Sequence, residues 1–473
     1  MGDVRGFLKV KRLKPKYRPV CERVKDYSDV AVLPAPQDSQ EQASRCMDCA
    51  VAFCHWGCPI GNVIPEWNDL VFHGHWEKAF RLLASTNNLP EITGRLCPAL
   101  CESACVLGIN DDAVTIRENE LAIIEYAFNN GLVKPRKLIK RTTKKIAVIG
   151  SGPSGLACAD QLNQMGHMVN VFEKDKAVGG ILRYGIPDFK LEKNIIDRRI
   201  NILEQEGIRF ITGTEAGKDY SLDKLKNDFD AICLCMGSRV PRDLKIEGRD
   251  LKGIHFAMDY LIQSNIRASG GVISEKEAID ARGKKVVVIG GGDTGSDCVG
   301  TACRQGASCV TQIEVMPKPS ESRTCDFPWP VHPLLLKTTT SHEETGERKW
   351  AVLTKRFNGS NGFVKSISCV EACFEKDSKG CMLIKEKQGT EFVLEADLVI
   401  LAIGFLHTQH KGLVSDLSLE LDLKGNIKTD DRFMTSVKGV FSCGDMRRGQ
   451  SLIVWAIAEG RNAAESIGRY LKA

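Results

Sequence analysis

Seven cysteines fall into two tight groups, Cys46-x2-Cys49-x4-Cys54-x3-Cys58-Pro59 and Cys97-x3-Cys101-x3-Cys105. A structural zinc takes two separated pairs making one tetrahedral site, and seven thiolates are too many for it. They are nearly right for two four-ligand iron–sulfur clusters, which are held by closely spaced cysteines with proline after the last of a group. The eighth ligand must then come from another residue type. Zinc staples and unligated thiols are the alternatives. The other twelve of the 19 cysteines are scattered. Cys158, Cys298 and Cys443 among them read as small buried hydrophobes. In a long chain expected to be cytosolic, clustered thiols point to metal or redox use rather than disulfides.

A second chemistry is written in glycine. Gly150-Ser-Gly152-Pro153-Ser154-Gly155 follows the apolar run Ile146-Ala-Val-Ile and precedes a helical pattern. In this spacing one glycine makes the tight turn, one lets a pyrophosphate approach, and one lets helix and strand pack closely. The helix N-terminus supplies free N–H groups for the phosphates. Glu173 ends the next apolar run, where an acid binds a ribose hydroxyl. Gly179-Gly180 follows, as in two-dinucleotide flavoproteins. Far downstream, Gly439-Val-Phe-Ser-Cys-Gly444-Asp445 resembles the second FAD signature of that group. FAD is the expected occupant, with its domain split and closed by the C-terminal part of the chain.

The second loop, Gly290-Gly-Gly292-Asp293-Thr294-Gly295, has the same context after Lys285-Val-Val-Val-Ile. Lying inside the FAD frame, it is expected to hold NAD(P)H. A basic residue beyond its second strand suits a 2′-phosphate and an acid suits a free ribose. Ile313-Glu-Val-Met-Pro-Lys-Pro-Ser-Glu-Ser-Arg323 carries both, with Glu314 arguing for NAD and Lys318 and Arg323 for NADP.

These sites need elements to hold them. Residues 1–140 show helical periodicity in Pro65-Glu-Trp-Asn-Asp-Leu-Val and Glu77-Lys-Ala-Phe-Arg-Leu-Leu-Ala, between cysteine-rich loops. A basic linker, Lys134 to Lys145, precedes alternating strands and helices. Short apolar runs with crossover helices imply parallel sheets covered on both faces. The expected class is α/β, with a helical N-terminal iron–sulfur domain (1–140) followed by two Rossmann-like domains. The FAD domain takes 141–270 and 406–473, and the NAD(P)H domain 271–405. The 473 residues are 43% hydrophobic and 26% charged with a net charge of +5, an ordinary globular balance that argues against nucleic acid. No run reaches the roughly 18 apolar residues of a membrane span, and the basic start has neither a leader's apolar core nor a myristoylation pattern. A cytoplasmic protein is expected.

Longer strings point further. Arg45-Cys-Met-Asp-Cys, Phe53-Cys-His-Trp-Gly-Cys-Pro and Gly61-Asn-Val-Ile-Pro-Glu-Trp-Asn-Asp-Leu-Val resemble the small (β) subunit of NADPH-dependent glutamate synthase. So do Thr86-Asn-Asn-Leu-Pro-Glu, Gly94-Arg-Leu-Cys-Pro-Ala-Leu-Cys-Glu-Ser-Ala-Cys, Met316-Pro-Lys-Pro, Pro328-Trp-Pro and Trp350-Ala-Val-Leu-Thr-Lys-Arg-Phe. Dihydropyrimidine dehydrogenase and a ferredoxin-linked NADP transhydrogenase are more distant kin of the same architecture. The resemblance implies two [4Fe–4S] clusters, one on Cys46, Cys49, Cys54 and Cys105, the other on Cys58, Cys97, Cys101 and Glu120. It also implies NADPH, with Lys318 and Arg323 on the 2′-phosphate.

The expected function follows from both readings. NADPH would reduce FAD, and two clusters would pass electrons to a large, FMN-containing glutamate synthase subunit that makes L-glutamate from L-glutamine and 2-oxoglutarate. The chain would thus work in a hetero-oligomer. No side chain is needed as a general acid or base for hydride transfer, so none is named as catalytic. The rival readings are a stand-alone NADPH oxidoreductase feeding ferredoxin or another acceptor, a pyrimidine-reducing assembly, and a non-enzymatic zinc-stapled binding module.

Overall fold

The computed structural model describes residues 2–137, 140–377 and 382–472; Leu138 and Ile139 of the basic linker and Cys381 of the scattered cysteines lie outside them. In the N-terminal unit the helices Pro36–Ala43, Ile64–Phe72, Trp76–Thr86, Pro90–Leu96 and Ile116–Asn129 enclose a core. Both helices expected from periodicity are present. Three of the five carry proline in their first turn, at Pro36, Pro65 and Pro90. Proline's preset φ suits the start of a helix, and its missing N–H would be unpaired there anyway. Ile64, Trp67, Val71, Ala79, Leu83, Ile116 and Ile123 are almost fully buried against one another. Truncating a residue of this kind costs about 2–5 kcal/mol.

Lys145–Ile149 begins the first nucleotide-type unit. Its four apolar residues are all buried, which is why the run reads as continuous rather than alternating. The strand order is Val440–Ser442, Ala231–Leu234, Lys145–Ile149, Met168–Phe172, Arg209–Ile211, every pairing parallel. The C-terminal strand therefore closes the first sheet, joining its two separated pieces. Helices Pro153–Gln164 and Ile453–Tyr470 pack together over it.

The second sheet runs Glu347–Lys349, Cys309–Ile313, Lys285–Ile289, Leu398–Leu401, Ile254–Phe256, again all parallel. Ile254–Phe256 pairs with Leu398–Leu401, so this unit starts well before residue 271, the boundary expected from the glycine loop. The covering of the sheet also differs from the expectation of helices on both faces. Helices Ala257–Ala268 and Asp293–Arg304 bury one face. The other packs on an antiparallel sheet of Val352–Ser360, Phe363–Lys376, Phe392–Glu395 and Met382–Glu386, through Val352, Phe357, Val364 and Ile367 against Val287, Ile289 and Val399.

Charge pairs dock the N-terminal unit on the first nucleotide unit. Arg199 Nε lies 2.6 Å from Glu91 Oε1, with Glu91 wholly buried. Arg95 and Arg198 share the buried Glu125, and Arg461 donates to Asn88 Oδ1 at 2.6 Å. Among the described residues no helix is long and apolar enough to cross a membrane.

Candidate functional site

The interleaved cysteines separate in space into two hollows. Cys46, Cys49, Cys54 and Cys105 line one, with Phe53, Ile64 and Asn68. Cys58, Cys97, Cys101 and Glu120 line the other, with Asn62, Thr93 and Arg117. The helix Phe53–Gly57 carries Cys54 into the first and ends just before Cys58, which turns into the second. The short helix Leu100–Ser103 bears Cys101, while Cys105 beyond it reaches back to the first.

Spacing separates one ion from a larger group. Tetrahedral zinc, with Zn–S near 2.3 Å, holds its sulfurs about 3.8 Å apart. Among the described residues, neither hollow has three potential ligand atoms within 4.8 Å of one another. Donors spread around a void suit a polynuclear cluster and not a zinc staple. Burial pushes the thiols of Cys46, Cys54 and Cys97 up to about 12 and Cys58 to about 11. A metal group must therefore displace protons to bind.

Glu120 sits on the long helix Ile116–Asn129 and is buried. Its carboxylate accepts from Asn62 Nδ2 at 3.0 Å, Asn87 Nδ2 at 3.3 Å and the Thr93 hydroxyl. Burial nonetheless pushes it up to about 7. Asn62, Asn87 and Thr93 thus orient the Glu120 carboxylate, a role without a sequence signature. Such partners of a ligand fix its orientation and tune the metal.

The two glycine loops repeat one geometry. Gly150 and Gly290 have φ of +103° and +123°, a region only glycine enters without strain. A Cβ on Gly155 would lie 2.0 Å from Gly150 O, and one on Gly295 2.2 Å from Gly290 O. In front of Gly152 and Gly292 a Cβ would meet nothing within 4 Å. These are the positions where a pyrophosphate approaches, and both following helices, Pro153–Gln164 and Asp293–Arg304, lack a side-chain cap. The open space and the free N–H groups fit a dinucleotide at each loop.

Around the first loop the expected residues converge. Glu173 accepts from Ser151 N at 3.1 Å and from its hydroxyl at 2.5 Å. A Cβ on Gly180 would come 3.0 Å from Gly152 Cα, and one on Gly444 2.6 Å from Ser154 Oγ, so both glycines permit close approach to this loop. Asp445 opens the short helix after Gly444; burial pushes it up to about 6, and Ser451 Oγ donates to it at 2.9 Å. Pro153 and Ser154 are buried in the first turn of the helix.

The second loop is more exposed. Asp293 pairs with Lys337 at 3.0 Å, and Thr294 follows in the same turn. Gln312 donates to Gly290 O at 2.8 Å, and His342 Nε2 lies 2.7 Å from Gln312 Oε1. Burial pushes His342 down to about 4, so it stays neutral. This chain of contacts braces the loop and was not legible in sequence. The structure does not bring the two expected phosphate-binding cations together. Arg323 donates to the carbonyls of Phe327, Val331 and Ser103, pinning its own loop to the N-terminal unit. Lys318 is exposed, 3.8 Å from Glu321.

Comparison with known proteins gives these features a family. Residues 23–132 match the family described as dihydropyrimidine dehydrogenase domain II, 4Fe-4S cluster. Residues 144–328 and 364–460 match the pyridine nucleotide-disulphide oxidoreductase family. The solved structure of Mycobacterium tuberculosis FprA in complex with NADPH shares the fold of 70% of this chain and 85% of its own, with a TM-score of 0.58 at 18% identity. The chain is 50% identical to the glutamate synthase [NADPH] small chain of Mycobacterium tuberculosis over 100% of its length and 96% of that protein. It is 44% identical to the glutamate synthase [NADH] of Schizosaccharomyces pombe, over 99% of this chain but 23% of that protein. An iron–sulfur domain joined to a nucleotide-dependent oxidoreductase, alike from end to end to small chains of one enzyme, identifies the chain as a member of the NADPH-dependent glutamate synthase small-chain family.

Proposed function

We propose that this chain is the electron-input subunit of a glutamate synthase. It takes a hydride from a reduced nicotinamide dinucleotide at the second loop to FAD at the first, and sends electrons through two [4Fe–4S] clusters to an FMN-containing large subunit. That subunit would make L-glutamate from L-glutamine and 2-oxoglutarate. When bound, the flavin supplies the exchange between a two-electron hydride and single electrons, and the clusters carry those electrons one at a time.

The observation that carries this reading is a shared wall. Val454, near the start of the C-terminal helix, lines the same hollow as Cys58, Cys97, Cys101 and Glu120. That helix follows Asp445 directly and packs on the helix of the first glycine loop. The hollow with Glu120 thus adjoins the flavin unit, whereas the residues lining the hollow with Cys46 all belong to the N-terminal unit. We assign Cys58, Cys97, Cys101 and Glu120 to the inner cluster and Cys46, Cys49, Cys54 and Cys105 to the outer. Gly150, Gly152, Pro153, Ser154, Gly155, Glu173, Gly180, Gly444 and Asp445 would hold FAD. Gly290, Gly292, Asp293, Thr294 and Gly295 would hold the nicotinamide dinucleotide. The residues position these groups and exclude water; hydride transfer needs no proton from a side chain.

The test is anaerobic capture of the chain from native extract, followed by assay of nicotinamide oxidation. A co-purifying large chain and a requirement for both glutamine and 2-oxoglutarate are expected. Oxidation that reduces ferredoxin or dyes without either substrate, and with no partner, would overturn the glutamate assignment.

A further inference from the structure

The acidic residue after the second strand is built into both nucleotide units in the same way, and this bears on which nicotinamide dinucleotide the second unit takes. In the first unit Glu173 Oε2 accepts from Ser151 N at 3.1 Å and its Oε1 from Asp175 N at 3.0 Å. In the second, Glu314 Oε2 accepts from Gly291 N at 2.6 Å and its Oε1 from Met316 N at 3.0 Å. Each carboxylate bridges the second residue of its glycine loop to the residue two places beyond itself. The strands beneath match as well, since Gly150 N donates to Phe172 O and Gly290 N to Ile313 O, both at 2.8 Å. A carboxylate at this place accepts hydrogen bonds from the ribose hydroxyls of the bound adenosine.

We infer that Glu314 makes the second site selective for a dinucleotide with a free adenosine 2′-hydroxyl, NADH, over its 2′-phosphorylated counterpart. This rests on the reading of the second loop as the nicotinamide dinucleotide site. FAD carries an unphosphorylated adenosine ribose, and Glu314 repeats in the second unit the geometry that Glu173 has in the first. A 2′-phosphate at that ribose would bring a second anion against the Glu314 carboxylate.

The neighbouring cations do not offset this. Arg323 is spent on three carbonyls, including Ser103 O across the unit boundary. Arg348 donates to Lys337 O and Thr338 Oγ1, and Lys349 pairs with Glu347 at 2.7 Å. Lys318 has its ammonium 5.6 Å from the centre of the Trp350 ring and 3.8 Å from Glu321. A phosphate site presents free, converging Arg or Lys donors; here Lys318 and Arg348 both lie over the Trp350 ring, at 5.6 and 5.1 Å from its centre, and Arg323 is held by carbonyls.

Two readouts test the inference, one of them independent of turnover. Calorimetry on the full chain compares NAD+ with NADP+, and steady-state assay with ferricyanide compares kcat/KM for NADH and NADPH. We expect at least about tenfold preference for the unphosphorylated form in both. Glu314→Gln keeps an acceptor for one loop N–H while removing the charge. It should narrow or reverse the ratio with its melting temperature close to that of the parent. Tighter NADP+ binding by the unaltered chain, or a ratio unmoved by Glu314→Gln, would overturn the inference and leave the proposed function standing. Binding of neither dinucleotide would overturn both.

Discussion

Two regions of this molecule gather cysteines, and they do so in opposite ways. In the N-terminal unit the thiols stand apart around two hollows, each ringed by four potential donors. In the core of the first nucleotide unit Cys158, Cys233, Cys235 and Cys443 are packed in contact, with Sγ–Sγ distances of 3.7 Å (158–233), 3.6 Å (233–235), 3.4 Å (235–443) and 3.9 Å (233–443). They lie among Val148, Leu156, Phe441 and Ile457 and are at most 3% exposed. Their spacing alone would admit a single ion. Yet the thiols satisfy each other as weak donors and acceptors, and the hydrogen bond from Cys158, first among several causes, holds Cys235 protonated well above its usual range. The same residue type is an available donor where it borders a void and a small hydrophobe where it fills one.

Removing one thiol from a hollow should have the largest effect. Cys101→Ser should lower bound iron from about eight to about four per chain. It should also slow electron delivery beyond the flavin by at least about a hundredfold while leaving nicotinamide-dependent flavin reduction intact, which rapid-mixing absorbance would show. Glu120→Gln keeps the shape and an acceptor for only one of the two donors Asn62 and Asn87, and removes the charge. It should weaken iron retention in the inner hollow by about 10–100-fold, read by chelator challenge, while the outer hollow keeps its iron.

Acidity offers a milder test. Thiols pushed up to about 12 hold their protons at neutral pH, while Glu120, at about 7, is half ionised there. Iron must displace those protons, so its affinity should rise with each unit from pH 6 to 9 and fall in acid. Titration of the apo chain with iron and sulfide checks the sign. The smallest effect is expected in the packed group. Cys235→Ala should cost about 1 kcal/mol of stability and leave iron unchanged. A loss of zinc on that substitution would contradict the description of these cysteines as packing.

How much of this was legible beforehand follows from which interactions are local. The glycine loops and buried strands announce themselves because a positive φ at Gly150 and Gly290, and continuous burial along Ile146–Ile149, demand particular residues at adjacent positions. The sorting of cysteines into two hollows depends on Cys58 turning away from Cys54 and Cys105 reaching back past Cys101. Spacing alone did not provide that, and the family resemblance did. The antiparallel sheet that replaces a helical layer, and the early start of the second unit at Ile254–Phe256, rest on long-range pairing with Leu398–Leu401 and its neighbours. The bracing of Gly290 by Gln312 and His342, and the diversion of Arg323 to backbone carbonyls, are tertiary contacts with no periodic trace.

The proposed function has the hollows hold polynuclear iron–sulfur groups and the packed core hold no metal. Its most direct measurement is elemental analysis of the anaerobically purified chain for iron, acid-labile sulfide and zinc. About eight iron and eight sulfide per chain with negligible zinc is the predicted result. Stoichiometric zinc without sulfide would contradict it.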